Sequence, residues 1–291
     1  MEFTLEIAKK QCIIKSNAAF SIVICFFRGV FYMDVKSMLS LQGKVALVSG
    51  GTQNFGAEIA QGLQEAGAQV IITSRKADKV REAAAAHNYI PEVLDLTDEQ
   101  SVIGLFDRIK QQFGRLDILV NNAGGHTPEA TGILETEPLS AWKTFIDANL
   151  TGTFLMMREY ARLMMSQRDG SIINIASISS LVGRDRTVYP AGMTPNPFAY
   201  TAAKAGVIGL TYDVAAYLGE YNIRVNAISP GGFERRQPAE FIKAYSERTM
   251  LGRMGEGGMD LKGAVVFLAS EASRYITGHN LYVDGGFTHF K

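Results

Sequence analysis

From residue 44 onward, short apolar runs alternate with longer stretches whose apolar residues recur every three or four positions. The runs at 45–49, 69–73, 89–94, 116–120, 171–175, 224–227 and 281–283 are rich in Val, Ile and Leu and lead into Gly, Asn, Asp or Ser. Continuous apolar runs of this length predict strands covered on both faces, as parallel strands are. The stretches at 57–66, 79–86, 98–113, 140–166, 199–218, 239–248 and 260–270 predict helices, several entered through an Asp or Ser that can cap the first turn. The alternation predicts an α/β fold of Rossmann type: a doubly wound, parallel, seven-stranded sheet with helices on both faces. A single domain over 41–291 accommodates all of it.

Residues 1–40 stand outside this pattern. Lys9, Lys10 and Lys15 precede an apolar run over 18–27 that Arg28 ends, whereas a bilayer span needs about 20 residues. The segment is read as an N-terminal extension, either loosely attached or membrane-associated. Membrane contact is expected only in the second case, and the expected location is cytoplasmic.

Composition then removes several function classes. Lys and Arg number 29, as do Asp and Glu, so no net field gathers nucleic-acid backbones, and no nucleic-acid partner is expected. Both cysteines, Cys12 and Cys25, lie in the extension, which excludes a disulfide scaffold or a Cys-ligated metal in the domain. His87, His126, His279 and His289 are scattered without ligand spacing, so no metal site is expected.

The first predicted strand runs into Gly50-Gly51-Thr52-Gln53-Asn54-Phe55-Gly56 and then a helix. Glycines here let the backbone reach positive φ and approach a pyrophosphate held by amides at the helix N-terminus. A tight ligand-free connection is the plain alternative. After the second strand, where an acidic residue would bind the ribose of NAD, stand Ser74 and Arg75, and an Arg can pair with a 2′-phosphate. NADP(H) is therefore favoured over NAD(H). Asp95 and Leu96, after the third strand, are candidates for the adenine edge. Tyr200 and Lys204 lie four residues apart in a predicted helix, on one face, where an ammonium favours the phenolate and brings a phenol toward the working range of an acid–base catalyst.

Taken in order, the glycine turn at 49–56, Asn121-Asn122-Ala123-Gly124, Asn149, Ser177, Tyr200 with Lys204, and Pro230-Gly231 strongly resemble the short-chain dehydrogenase/reductase family, the ordinary type that includes ketoacyl reductases and gluconate and polyol dehydrogenases. The resemblance covers residues 41–291. It implies that Tyr200 donates or accepts the substrate proton, that Lys204 binds the nicotinamide ribose and lowers the phenol's pKa, that Ser177 orients the substrate oxygen, and that Asn149 holds the water of a proton relay. It implies cofactor contacts at Gly50, Thr52, Asn54, Phe55, Gly56, Asn122, Ala123, Gly124, Pro230, Gly231 and Phe233. The expected activity is an NAD(P)-dependent hydride transfer between cofactor and a small carbonyl or secondary alcohol. The expected substrate is a sugar, polyol, sugar acid or ketoacyl compound, and the expected assembly a homo-oligomer, tetramer or dimer. The alternative from another class is a non-catalytic dinucleotide-binding sensor or scaffold.

Two departures from the family pattern matter. Asn54 replaces a usual glycine, and Gln53 stands where a basic residue is common, which leaves Arg75 to carry the NADP preference. The stretch between Ser177 and Tyr200 is longer than the family commonly shows. Its extra residues, 184–196, include Arg184, Asp185, Arg186, Tyr189, Pro190 and Pro195, with Pro197 just after them, and are read as a stiff loop over the substrate pocket.

Overall fold

The computed structural model describes residues 33–290 apart from His126, and before them the backbone of four strands. Those strands, Glu2–Ile7, Lys10–Asn17, Phe20–Phe27 and Val30–Tyr32, pair antiparallel in chain order as a sheet of their own. Most of the apolar run considered as an anchor thus lies on a strand. Among the described residues, no helix is long and apolar enough to cross a membrane. A short helix, Val35–Leu39, is capped by the Asp34 carboxylate, which accepts from the amides of Lys36 and Ser37. It leads to Leu41, the first buried side chain among the described residues.

The predicted alternation is realised as β1 (Val45–Val48), α1 (Asn54–Glu65), β2 (Gln69–Ser74), α2 (Ala77–His87), β3 (Ile90–Val93), α3 (Glu99–Phe113) and β4 (Ile118–Asn121) in the first half. The second half contributes α4 (Leu139–Ile146), α5 (Gly152–Met164), β5 (Gly170–Ile175), α6 (Phe198–Leu218), β6 (Ile223–Pro230), α7 (Ala239–Ser246), α8 (Lys262–Ala269) and β7 (Asn280–Val283). All seven strands are parallel, in the order β3-β2-β1-β4-β5-β6-β7. The order reverses between β1 and β4, and such a switch point opens a crevice at the carboxyl ends of the strands.

Strand periodicity divides the core. Ala46 and Val48 of β1 point to a layer with Ile59, Leu63 and Val265, while Val45 and Leu47 point to a layer with Val102, Leu105 and Tyr160. Each such fully buried aliphatic side chain contributes about 1.5–3 kcal/mol relative to exposure. Two polar anchors hold the sheet's middle. Asp117, 2% exposed, accepts from the Val45 amide at 2.8 Å and pairs with Arg115. Asn121 on β4, Asn174 on β5 and Thr211 on α6 form a buried chain with bonds of 2.8 and 3.0 Å. That chain ties α6, the helix carrying Tyr200 and Lys204, to the sheet.

One prediction differs. The helix expected over 140–166 is helical throughout but not uniform, since α4 and α5 are joined without a break by a π turn over Asp147–Thr151. Its extra residue turns Asn149 inward, and the Asn149 amide donates to the carbonyls of Phe145 and Gly125 at 3.0 and 3.2 Å.

Candidate active site

The glycine turn does what its composition requires. Gly50 has φ +67°, and Asn54, the substitute for glycine, sits at φ +51°, a left-handed conformation that Asn tolerates best among residues with a side chain. A Cβ at Gly56 would fall 2.0 Å from the Gly50 carbonyl oxygen, so only glycine closes this turn. Gln53 occupies the N-cap of α1 without a side-chain hydrogen bond, which leaves the first amides of the helix open to an anionic ligand. The Ser49 hydroxyl accepts from the amides of Asn122 and Ala123, both at 3.0 Å. The Asn122 side chain returns a bond to the Ser49 carbonyl at 3.0 Å. The turn after β1 and the loop after β4 are thereby locked into one floor.

Two adjoining clefts open above that floor. The first is bounded by Gly50, Thr52, Asn54 and Gly56 on one side, Ser74, Arg75, Asp95 and Leu96 on another, and by Ala123. Lys76 and Lys79 border it as well, two cations that the sequence reading did not single out. Their signal is the helix start just after Arg75. The Asp95 carboxylate is held below its ordinary range chiefly by the hydroxyl and amide of Thr97, and also by Arg75 nearby. The second cleft, about 540 Å³, is lined by Asn149, Ser177, Tyr200, Lys204, Pro230, Gly231 and Phe233. Phe55, Asn122 and Gly124 line both clefts, so every site residue expected from the sequence lies on one continuous groove. Three basic side chains at one end and open helix amides at its centre fit the phosphates of a dinucleotide.

Tyr200 and Lys204 share a face of α6, with Lys204 Nζ 5.9 Å from the Tyr200 ring centre. Ser177, at the end of β5, accepts from the Ser179 amide and hydroxyl at 3.2 and 3.0 Å, which leaves its own proton free, and it lines the same cleft as the Tyr200 phenol. The electrostatics correct the expectation from sequence. Burial pushes the Tyr200 phenol above its ordinary value; the Ser177 hydrogen bond and then the Arg184 guanidinium pull it back, and Lys204 is not among the groups that shift it. The reason is where Lys204 points its charge. Its ammonium is buried and donates to the Ile175 carbonyl at 2.7 Å, and burial pushes its own pKa down to about 8.

The insert folds over the second cleft as expected, with Arg184, Asp185, Val188, Tyr189 and Met193 in its lining. It is stapled to α7 and the chain end rather than standing free. Asp185 pairs with Arg248 at 3.0 Å, Tyr189 packs on Phe241 at 5.2 Å, and Tyr245 stacks on Phe287 at 4.6 Å. Tyr245 also accepts from the Gly232 amide at 2.6 Å, which fixes the segment after Pro230-Gly231. On the near side, Phe55 meets Phe233 edge-on at 4.8 Å while Arg235 lies over Phe55 and pairs with Glu58 at 3.1 Å. This latch joins the glycine turn to the substrate side. The parts that Phe287 and Glu58 play here are not legible in the sequence, because their partners lie far away along it. Among the described residues there is no cluster of side chains able to hold a metal.

A switch-point groove carrying this turn and an ordered Asn, Ser, Tyr and Lys defines a nicotinamide-dependent oxidoreductase of Rossmann type, and comparisons with known proteins agree. The family model described as enoyl-(acyl carrier protein) reductase matches residues 50–288. The chain belongs to the short-chain dehydrogenase/reductase family. It is 35% identical to a 3-oxoacyl-acyl-carrier-protein reductase of Aquifex aeolicus, covering 85% of this chain and 98% of that protein. It is 33% identical to a 2-dehydro-3-deoxy-D-gluconate 5-dehydrogenase of Formosa agariphila, covering 86% and 94%. Among solved structures, a gluconate 5-dehydrogenase from Burkholderia cenocepacia, in complex with NADP and tartrate, superposes with a TM-score of 0.79 at 32% identity over 88% of this chain and 99% of that one. The relatives act on hydroxyl or carbonyl groups, and this chain is an oxidoreductase of that kind.

Proposed function

We propose that the domain over residues 41–291 reduces or oxidises a small sugar, polyol, sugar acid or ketoacyl compound with NADP(H) as the favoured cofactor. The observation that carries this reading is that Ser177, Tyr200 and Lys204 line one cleft, continuous with the phosphate-binding turn. When bound, the nicotinamide supplies or takes the hydride at the carbon. Tyr200 gives its proton to the carbonyl oxygen in reduction and takes it back in oxidation, and a phenol raised by burial is protonated at neutral pH, as an acid must be. Ser177 orients that oxygen. Lys204 binds the nicotinamide ribose, and Asn149 braces the loop at Gly125 while its side-chain oxygen holds the water of a proton relay. The non-catalytic sensor has no observation in its favour, since the acid–base group lines one cleft with Ser177 and Lys204. The exposed apolar side chains Trp142, Phe154 and Tyr217 on α4, α5 and α6 suit the homo-oligomer that the resemblance implies.

The direct test is absorbance at the reduced-nicotinamide band across hydroxy acids, polyols and ketoacyl compounds, with both cofactors in both oxidation states. Turnover of one class is expected, and silence across all of them would overturn the reading. For the cofactor, Arg75→Ala is expected to weaken NADPH by about ten- to a hundredfold, the loss of about 1.5–3 kcal/mol that hydrogen bonds to a charged group are worth. NADH affinity should stay put. Fluorescence titration of both cofactors checks this, and equal losses for the two would remove Arg75 from the 2′-phosphate.

A further inference from the structure

The charges lining the substrate cleft are almost all matched. Arg235 pairs with Glu58 at 3.1 Å, Asp185 pairs with Arg248 at 3.0 Å, and Lys204 is committed to the Ile175 carbonyl at 2.7 Å. Arg184 is the exception. It lines the same cleft, and among the described residues no carboxylate lies within ion-pair distance of it. Its guanidinium donates to the Asn196 carbonyl at 2.5 Å and to the Thr201 hydroxyl at 3.3 Å. These two bonds use two of its five N–H donors and fix it beside α6, one residue along from Tyr200.

We infer that Arg184 is the recognition residue for a carboxylate on the substrate, so that this site takes a hydroxy or keto acid rather than a neutral polyol. A guanidinium is a planar fork that matches a carboxylate with two parallel bonds, and a partly buried one without a counter-ion is completed by an anionic ligand. Burial already pushes the Arg184 pKa down, which marks the desolvation that such a ligand would offset. The support is rigid on both sides. The neighbouring Asp185 carries the staple to Arg248, and the Asn196 carbonyl that holds the guanidinium precedes Pro197, the cap residue of α6. Position also suits the chemistry, because the charge of Arg184 reaches Tyr200 and Tyr189. A carboxylate seated there keeps the hydroxyl-bearing carbons of the same molecule near the phenol.

This assignment rests on the cleft being the substrate site, and its test is a binding measurement that needs no hydride transfer. Calorimetric titration of the full chain with NADPH present, so that no alcohol is oxidised, compares hydroxy acids with polyols of the same carbon chain, D-gluconate against D-glucitol among them. The acids are expected to bind at least tenfold more tightly. Arg184→Met should bring that ratio to one, and Arg184→Lys should keep part of it, with melting temperature and circular dichroism confirming that both variants fold. A wild-type protein without preference for acids, or a preference that survives in Arg184→Met, overturns the assignment. Failure of the hydride-transfer reading would show instead in turnover, with this binding difference intact.

Discussion

Replacing Tyr200 with Phe lowers kcat by about 10²–10⁴-fold, the range that a positioned general acid or base contributes, and leaves the cofactor bound. The variant removes one oxygen. The bond from Asn174 on β5 that holds α6 at Thr211 and the packing of the insert are untouched. The lost atom is the group assigned to proton transfer in the cleft it shares with Ser177, and the variant puts no proton donor in its place. NADPH fluorescence on binding should change as in the wild type, which separates a chemical defect from a folding one. The direction of the phenol's shift adds a pH signature. Because burial raises the Tyr200 pKa, reduction is supported at neutral pH by the protonated form, while oxidation needs the phenolate and should accelerate as pH rises. Wild-type-like turnover in the variant would remove Tyr200 from the chemistry.

Much of this was legible in the residues because the physics is local. A buried parallel strand reads as a near-continuous apolar run, so Val45–Val48 and the stretch 118–120 announce themselves, and the glycine turn can be built from few other sequences. The YxxxK spacing places two side chains on one helix face wherever that helix lies. What stayed hidden depends on contacts between distant segments. The π turn at Asp147–Thr151 inserts a residue without disturbing the apolar pattern on either side, so the stretch looks like one helix. The sequence shows that Tyr200 and Lys204 are neighbours, but not that the ammonium is spent on the Ile175 carbonyl. Nor does it show that Arg184 comes to rest beside α6, since that follows from how the insert is stapled to α7.

The placement of Lys204 leads to the other large effect, on stability rather than rate. Among the described residues, its buried ammonium has a single carbonyl as hydrogen-bond partner and no carboxylate within ion-pair distance, and burial lowers its pKa from 10.5 to about 8. A lysine whose folded pKa is depressed binds fewer protons in the folded than in the unfolded chain between those two values, so stability rises with pH across that window. Below about pH 8 the folded state carries the full cost of a desolvated charge, of order 3 kcal/mol from the shift at about 1.36 kcal/mol per unit. Lys204→Met removes the charge and keeps the length of the side chain. It also strips the Ile175 carbonyl of its partner, which costs about 1–3 kcal/mol, so the net change near neutrality is the smaller difference of two terms. The pH dependence isolates the charge. The stability of Lys204→Met relative to wild type should be greatest below pH 8 and should fall as pH rises from about 8 toward 10.5, as the wild-type lysine sheds its proton. Turnover in the same variant should be nearly abolished at every pH, because the group assigned to the nicotinamide ribose is gone. Denaturant unfolding of both proteins at a series of pH values reads the difference, and a difference that stays flat across the window would show that Lys204 carries no buried-charge penalty.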